Sequence, residues 1–306
     1  MIFLPKKDFD SPPIALTKAT ACWTLRSATL TPDGNLCTSY YYADKSVVDL
    51  LRAYSVHEDF LAANEAGKCN YCESRLEHGV TFQVEHFRPK AKVAEIDNGG
   101  LPHSGYYWLG LEWSNLLLSC PKCNGKGAKG SRFPIRGVRA TAFHPVDATG
   151  VLNRAACYLN TNPLLAEDPL LLNPEIDHPE QFLTFNTNGY IVSHGADQLR
   201  GDTSIEIYRL NRDLLVAERI DVLNQFLNRI NIDIAAHMIG TIGDDTLIYN
   251  FKVVVREMIA RQSPKKEFAL WARYFNEEIE SCVIAYLPRV PYNDMFRDAH
   301  HEVLAE

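Results

Sequence analysis

Cys69-Asn70-Tyr71-Cys72 and Cys120-Pro121-Lys122-Cys123 are two cysteine pairs with the same two-residue spacer, and the residues between and just beyond them decide the fold. That spacer lets both thiolates of a pair reach one ion, and two such pairs complete a tetrahedral sulfur site of the structural zinc type. Four sulfur ligands leave no open coordination position, so the site is expected to hold the fold rather than perform a reaction. Asn70 and Asn124 follow the first and last ligands, where the chain must bend around the metal. Cys22, Cys37, Cys157 and Cys282 have no partner at ligand spacing and read as small buried hydrophobes. No secretory segment opens the chain, and paired Cys-x-x-Cys motifs in a non-secreted protein favour metal or redox use over disulfides. A cytoplasmic location is the corresponding expectation.

Between the pairs, Thr81-Phe82-Gln83-Val84-Glu85-His86-Phe87 alternates as a short strand does, with Phe82 and Val84 on one side. Adjacent Glu85 and His86 project to opposite faces of a regular strand, so a strand end or a bulge is needed to bring both to one cleft. His86 suits a general base, because its ordinary pKa lies near neutrality and it can take a proton from water. Glu85 suits a hard divalent cation such as magnesium or manganese. A lone histidine is otherwise a surface or hydrogen-bonded group; its place between two cysteine pairs favours the chemical role. The run Tyr106 to Ser119 is aromatic and apolar, and reads as a core wall rather than a base-stacking platform. Asn115 interrupts it. A buried amide is costly without hydrogen bonds, so its expected use is to tie the loop carrying His86 to the element that follows. Asn124 is expected at the start of a short helix, where its side-chain oxygen either caps the helix or binds a metal.

Together these residues resemble the HNH endonuclease fold, the beta-beta-alpha-metal nucleases, in the variant with four zinc-binding cysteines. The chain is more closely similar to the PtuB-like group, the nuclease subunit of Septu-type and related retron-associated antiphage systems. Cys69-x-Tyr71-Cys72-Glu73, Val84 to Lys90, Gly105 to Leu109, Glu112 to Cys120, Cys123-Asn124 and Phe133-Pro134-Ile135 carry the resemblance. A second stretch runs from Leu171-Leu172-Asn173-Pro174 through Asp177-His178-Pro179 and Gly189-Tyr190-Ile191 to Leu210-Asn211-Arg212-Asp213-Leu214. The resemblance implies an α+β fold, with a beta-beta-alpha-metal HNH module, a four-cysteine structural zinc site and a mainly helical C-terminal region. It implies a metal-dependent endonuclease that hydrolyses nucleic-acid phosphodiester bonds, with His86 as general base. Glu85 and Asn124 would hold the catalytic Mg2+ or Mn2+, and Asn115 would orient the loop bearing the base. Two positions depart from the usual pattern, glutamate for aspartate before the histidine and asparagine for the final histidine. The implied partner is a PtuA-like ABC-family ATPase, and no nucleotide-binding motif in this chain supplies that function internally. The isolated protein is accordingly expected to cleave weakly or without gating.

The formal net charge is -7, which disfavours nonspecific coating of nucleic acid. Positive charge is nevertheless local to the module. Arg88, Lys90 and Lys92 flank the proposed base, and Lys122, Lys126, Lys129, Arg132, Arg136 and Arg139 follow with no acidic residue among them. Of these, Arg88, Lys90, Lys122, Lys126, Lys129 and Arg132 are the expected phosphate contacts, and a solvated surface rim is the alternative. The glycines around Lys126 to Gly130 fit a flexible phosphate-facing loop but lack the order of a P-loop.

At 306 residues the chain can bury a substantial core. We expect an N-terminal extension with a helix (1–66, the helix over 47–66), the zinc-bearing nuclease core (67–140), a loop and short-strand region (141–205) and a helical region (206–306). In the last, helices are expected from about Leu210 to Ile230, over 246–261 and over 265–286. Their apolar faces either complete the core or dock another subunit. Asp177, His178 and His194 lack a convergent ligand set and read as surface or hydrogen-bonding groups. No apolar run has membrane length. A noncatalytic zinc-supported module that binds nucleic acid or protein is the second reading, and DNA and RNA are both open as substrates. A zinc hydrolase of small molecules fits less well, since four sulfurs leave no catalytic position.

Overall fold

The computed structural model describes residues 1–3, 10–17, 41, 43–54, 67–75, 82–96, 103, 105–140, 157–159, 161–288 and 290–306. In chain order the first elements are α1 (Ile14–Thr17), α2 (Lys45–Tyr54), β1 (Gln83–His86), β2 (Leu116–Ser119) and α3 (Pro121–Asn124). β1 and β2 pair antiparallel, Gln83 opposite Ser119 and His86 opposite Leu116. Every residue of β2 is buried, as a continuous apolar run predicts for a strand covered on both faces. Leu116 and Leu118 join Ala15, Leu16, Val47, Leu51, Leu111 and Trp113 in one cluster, against which Phe82 and Val84 of the neighbouring strand pack. Each such fully buried side chain contributes roughly 1.5–3 kcal/mol. Val47 and Leu51 sit one helical turn apart on α2, and Asp44 caps that helix by accepting from the Ser46 N–H (2.9 Å). The helix expected over 47–66 is present to Tyr54; residues 55–66 lie outside the described residues.

The later elements are β3 (Leu183–Phe185), paired with β4 (Ile191–Ser193), then α4 (Gln198–Ile207), α5 (Asp213–Met238), α6 (Asp244–Ala260), α7 (Ala269–Glu277), α8 (Ile279–Cys282) and α9 (Tyr292–Leu304). The described chain forms two compact units, 1–183 with 193–210, and 184–192 with 211–306. The helical unit takes up the chain from Asn211. It also takes the segment 184–192 out of the expected loop region. Asn211 explains that capture: its Oδ1 accepts from the Ile191 N–H and its Nδ2 donates to the Ile191 carbonyl, both at 2.8 Å. Arg219 donates to the Gly189 carbonyl (3.1 Å), and Phe185 packs on Trp271 with ring centroids 5.1 Å apart.

Three other differences have physical causes. The expected loop region contains α4, whose Gly201 packs so close to Phe182 and Ser193 that a Cβ would meet the Phe182 carbonyl at 2.7 Å. The helix expected over 265–286 is broken, beginning only after Phe268 in the left-handed region (φ +53°) and interrupted at Glu278. α9 has no counterpart among the expected elements, although Phe296, Ala299 and Val303 recur at helical spacing and are buried. It packs on α6 through Phe296 and Phe251, whose ring centroids lie 5.2 Å apart. Among the described residues no helix is long and apolar enough to cross a membrane.

Candidate metal centre and the hairpin beside it

The Sγ atoms of Cys69, Cys72, Cys120 and Cys123 lie within 4.8 Å of one another, and all four side chains are buried. Cys72 and Cys120 Sγ are 3.8 Å apart. A zinc–sulfur bond of about 2.3 Å gives a tetrahedral edge of about 3.8 Å, so the spacing fits that ion. The first pair closes through a turn in which the Glu73 N–H donates to the Cys69 carbonyl (2.9 Å) and Glu73 takes φ +64°. The second sits on α3, where Pro121 opens the helix and the Cys123 and Asn124 N–H groups donate to the Cys120 carbonyl. The Cys120 N–H donates to Cys69 Sγ (3.3 Å), and Ser74 Oγ lies 3.2 Å from Cys72 Sγ. Burial pushes the Cys69 thiol well up, whereas the hydrogen bond with Cys123 draws Cys120 down. Four buried thiolates need a cation to coexist, and a metal ion supplies it. This set is capable of coordinating a metal ion and suits structural zinc. Cys157 and Cys282 are buried, as the sequence reading expects; Cys22 and Cys37 lie outside the described residues.

Tyr71, inside the first cysteine turn, stacks on Tyr208 at 3.9 Å between centroids, and the Tyr208 hydroxyl donates to the Leu172 carbonyl (3.1 Å). Tyr71 and Leu172, one from each stretch that carries the resemblance, are thereby joined through Tyr208. Asp177 accepts from Arg200 (2.8 Å), and His194 Nε2 lies 3.0 Å from the Glu180 carbonyl, so both are hydrogen-bonding groups.

His86 ends β1, and its Nε2 lies 3.1 Å from the Gly110 carbonyl. A carbonyl only accepts, so Nε2 carries the proton and the imidazole lone pair sits on Nδ1. Burial lowers the His86 pKa to about 3, the Lys90 and Lys129 charges add to that, and the Gly110 carbonyl opposes it. The ring is therefore neutral at physiological pH.

Asn115, 0 % exposed, clamps the backbone that follows His86. Its Oδ1 accepts from the Arg88 N–H (2.8 Å), while its Nδ2 donates to the carbonyls of Arg88 (3.1 Å) and Leu109 (3.2 Å). The Phe87 N–H in turn donates to the Asn115 carbonyl (2.9 Å). One amide thereby joins the end of β1, the turn that presents Gly110 and the start of β2.

Glu85 immediately precedes His86 at the end of β1. It is buried and ion-paired with Lys129, whose Nζ also donates to the His86 carbonyl (2.9 Å). Burial raises the Glu85 carboxyl and Lys129 opposes the rise. Asn124 ends α3 rather than starting it, so the helix-start cap considered from sequence is not its role; Cys120 holds the N-cap position. The Asn124 Nδ2 donates to Gln83 Oε1 (3.1 Å), on the β1 face that Gln83 shares with Glu85 by alternation. The donor chemistry of Glu85 and Asn124, a carboxylate and an amide oxygen, fits a hard divalent cation. The charge at Glu85 is already balanced by Lys129.

Two of the six expected phosphate contacts point inward, and this corrects the sequence reading of them. Arg88 is 1 % exposed; its Nε donates to Glu167 Oε2 and its NH2 to the Leu164 carbonyl, both at 2.7 Å, with the guanidinium 5.1 Å from the Phe133 ring centroid. Lys129 is 0 % exposed. Lys122 and Lys126 are exposed, Lys90 is half-buried, and Arg132 is half-buried and paired with Glu206 (2.6 Å). Lys126, Lys129 and Arg132 help line a cavity of about 390 Å³. Sequence reasoning missed Glu167, which accepts from Arg88, from the Tyr106 hydroxyl (2.8 Å) and from the Ala140 N–H (2.8 Å). It lies far along the chain from the motif, with no local pattern to mark it.

Over 181 residues, 59 % of its length, the chain is 35 % identical to Septu protein PtuB of Bacillus mycoides (strain KBAB4), covering 52 % of that protein. Over that stretch the chain is similar to a Septu protein. It is also 30 % identical to Septu protein PtuB of Bacillus thuringiensis over 156 residues, 50 % of this chain and 40 % of that one. Septu protein PtuA of Bacillus mycoides matches at 28 % identity over 171 residues, 56 % of this chain and 21 % of PtuA. The chain thus spans about half, or less, of the length of these curated relatives. No family model matches it, and no solved structure does.

Proposed function

We propose that this chain is an HNH-type, metal-dependent endonuclease that hydrolyses nucleic-acid phosphodiester bonds as the effector of a Septu-like antiphage assembly. The observation that carries the reading is the pairing of β1 with β2 and the helix after them. They leave His86 neutral, with its tautomer set by Gly110 and its backbone clamped by Asn115, beside a four-cysteine centre. The similarity to PtuB supports the same reading.

His86 takes a proton from the attacking water at Nδ1, and the Nε2–H bond to Gly110 stabilises the imidazolium that forms. A pKa of about 3 belongs to the protein without substrate. A phosphodiester beside the ring favours its charged form and raises that value. Asn115 keeps the ring in register by holding residues 87 and 88. A divalent cation, held by Glu85 and Asn124, would polarise the phosphate and stabilise the leaving oxygen. Lys90, Lys122, Lys126 and Arg132 meet the phosphate backbone from the rim, while Arg88 and Lys129 hold the hairpin through their pairs with Glu167 and Glu85. The sulfur centre holds zinc and only supports the fold. A PtuA-like ABC-family ATPase supplies gating and substrate binding that this acidic chain lacks, in the reducing cytoplasm where free thiolates persist.

One observation favours the noncatalytic alternative: Lys129 already occupies the Glu85 carboxylate. Incubating the purified chain, with and without a copurifying ATPase, with labelled plasmid DNA and total RNA in Mg2+ or Mn2+ separates the two. Metal-dependent cleavage of one polymer, stronger with the ATPase, is the expected result. Binding without cleavage under every condition supports the noncatalytic module instead.

A further inference from the structure

Lys129, expected from the sequence to contact phosphate, instead faces inward with its ammonium at Glu85 and the His86 carbonyl. It emerges from the loop after α3, held there by its own N–H to the Cys123 carbonyl (3.1 Å) and by its carbonyl to the Arg132 N–H (2.7 Å). Its side chain crosses to β1, where a single nitrogen pairs with the Glu85 carboxylate and bonds the His86 carbonyl. The buried charges of Glu85 and Lys129 cancel. A divalent cation arriving at Glu85 meets a site with no net negative charge and an ammonium within a few ångströms, and like charges at such distances repel strongly where water is excluded.

We infer that Lys129 competes with the divalent cation for Glu85, so that the loop 126–132 sets how tightly the hairpin binds its metal. The inference rests on the proposed nuclease reading, in which Glu85 is a ligand. Lys129 is a positioning residue in this account: while it stays, it holds Glu85 and the His86 backbone in register, and when it yields, the carboxylate becomes available. Gly127 (φ +88°) and Gly130 (φ +47°) flank Lys129 in left-handed conformations that side chains disfavour. Lys126 and Arg132 on the same loop line the neighbouring cavity with their positive charges. A polyanion that draws this loop outward draws Lys129 with it, coupling substrate arrival to metal loading.

The test is Mn2+ binding by the zinc-loaded 306-residue chain, followed by the electron paramagnetic resonance signal of free Mn2+. Lys129→Met keeps the length and apolar stem without the charge. It is expected to bind Mn2+ at least tenfold more tightly than the unaltered chain, and Glu85→Gln in the same background is expected to remove that gain. Equal or weaker binding by Lys129→Met, with Glu85→Gln still abolishing the site, overturns the competition and leaves the nuclease reading standing. Mn2+ binding indifferent to Glu85→Gln overturns both. Should Lys129→Met fail to fold, amine acetylation of the unaltered chain mapped by mass spectrometry decides. Mn2+ at saturation is expected to raise labelling of Lys129 and leave Lys122 unchanged, and a Lys129 that stays protected at saturation contradicts the inference.

Discussion

The unit that carries the hairpin and the helical unit reach order by different means. In the first, β1, β2 and α3 are each four residues long, and the buried set includes Arg88, Glu85, Lys129, Asn115 and Glu167. In the second, α5 and α6 run 26 and 17 residues and bury mainly apolar side chains, from Leu215 to Ile234 on one and from Leu247 to Met258 on the other. Long amphipathic helices spread their stability over many interchangeable contacts. Four-residue elements cannot do so, and the hairpin depends on a few polar fixings that have no substitute. The proposed chemistry falls in the unit that is held by points rather than by area.

The largest break should come from the metal. Structural zinc supplies on the order of 10 kcal/mol to small modules that bind it. Cys69→Ala, or prolonged chelation, is expected to unfold 67–140 while α5, α6 and α9 keep their amide protection. Hydrogen exchange resolved along the chain measures this, and uniform loss across both units would contradict the division. Next comes the buried ion pair. Arg88→Met leaves Glu167 charged and unpaired, and is expected to cost about 3–5 kcal/mol. Denaturant unfolding of Arg88→Met against Arg88→Met with Glu167→Leu checks the cause, since the double replacement should recover most of the loss.

A smaller effect follows from His86 and has a defined sign. The folded pKa of about 3 lies below the ordinary 6.5, so the neutral ring is favoured in the folded state. Its contribution is fully present above pH 6.5 and is lost as pH falls toward 3, because the unfolded chain binds the proton first. The loss is at most about 1.4 kcal/mol per pH unit. Unfolding measured between pH 7 and 5 should therefore fall less steeply for His86→Ala than for the unaltered chain, and parallel curves would contradict the buried neutral ring.

What was legible in sequence follows the same contrast. The cysteine spacing, the short strand that ends at His86 and the isolated amide at Asn115 are local signals, and each has its physical counterpart in the hairpin. The long helices were legible from their apolar period. Residues whose role depends on a distant partner were not. Lys126 and Lys129 read alike in a basic stretch, yet Lys126 is exposed and Lys129 is buried, because only the latter is aimed at Glu85 by backbone bonds to Cys123 and Arg132. Arg88 read as a surface cation because nothing near it in sequence announces Glu167. The segment 184–192 read as part of a loop region because the two hydrogen bonds that capture it come from Asn211.

The central claim is that His86 performs proton transfer on a zinc-held hairpin. It is tested most directly by comparing cleavage rates of the unaltered chain and His86→Ala, each with its activating partner and metal, after zinc content and folding have been matched. General-base loss is expected to slow cleavage by roughly 10²–10⁴-fold with zinc retained. Cleavage at the unaltered rate, or loss of zinc on substitution, would contradict the account and return His86 to a structural role.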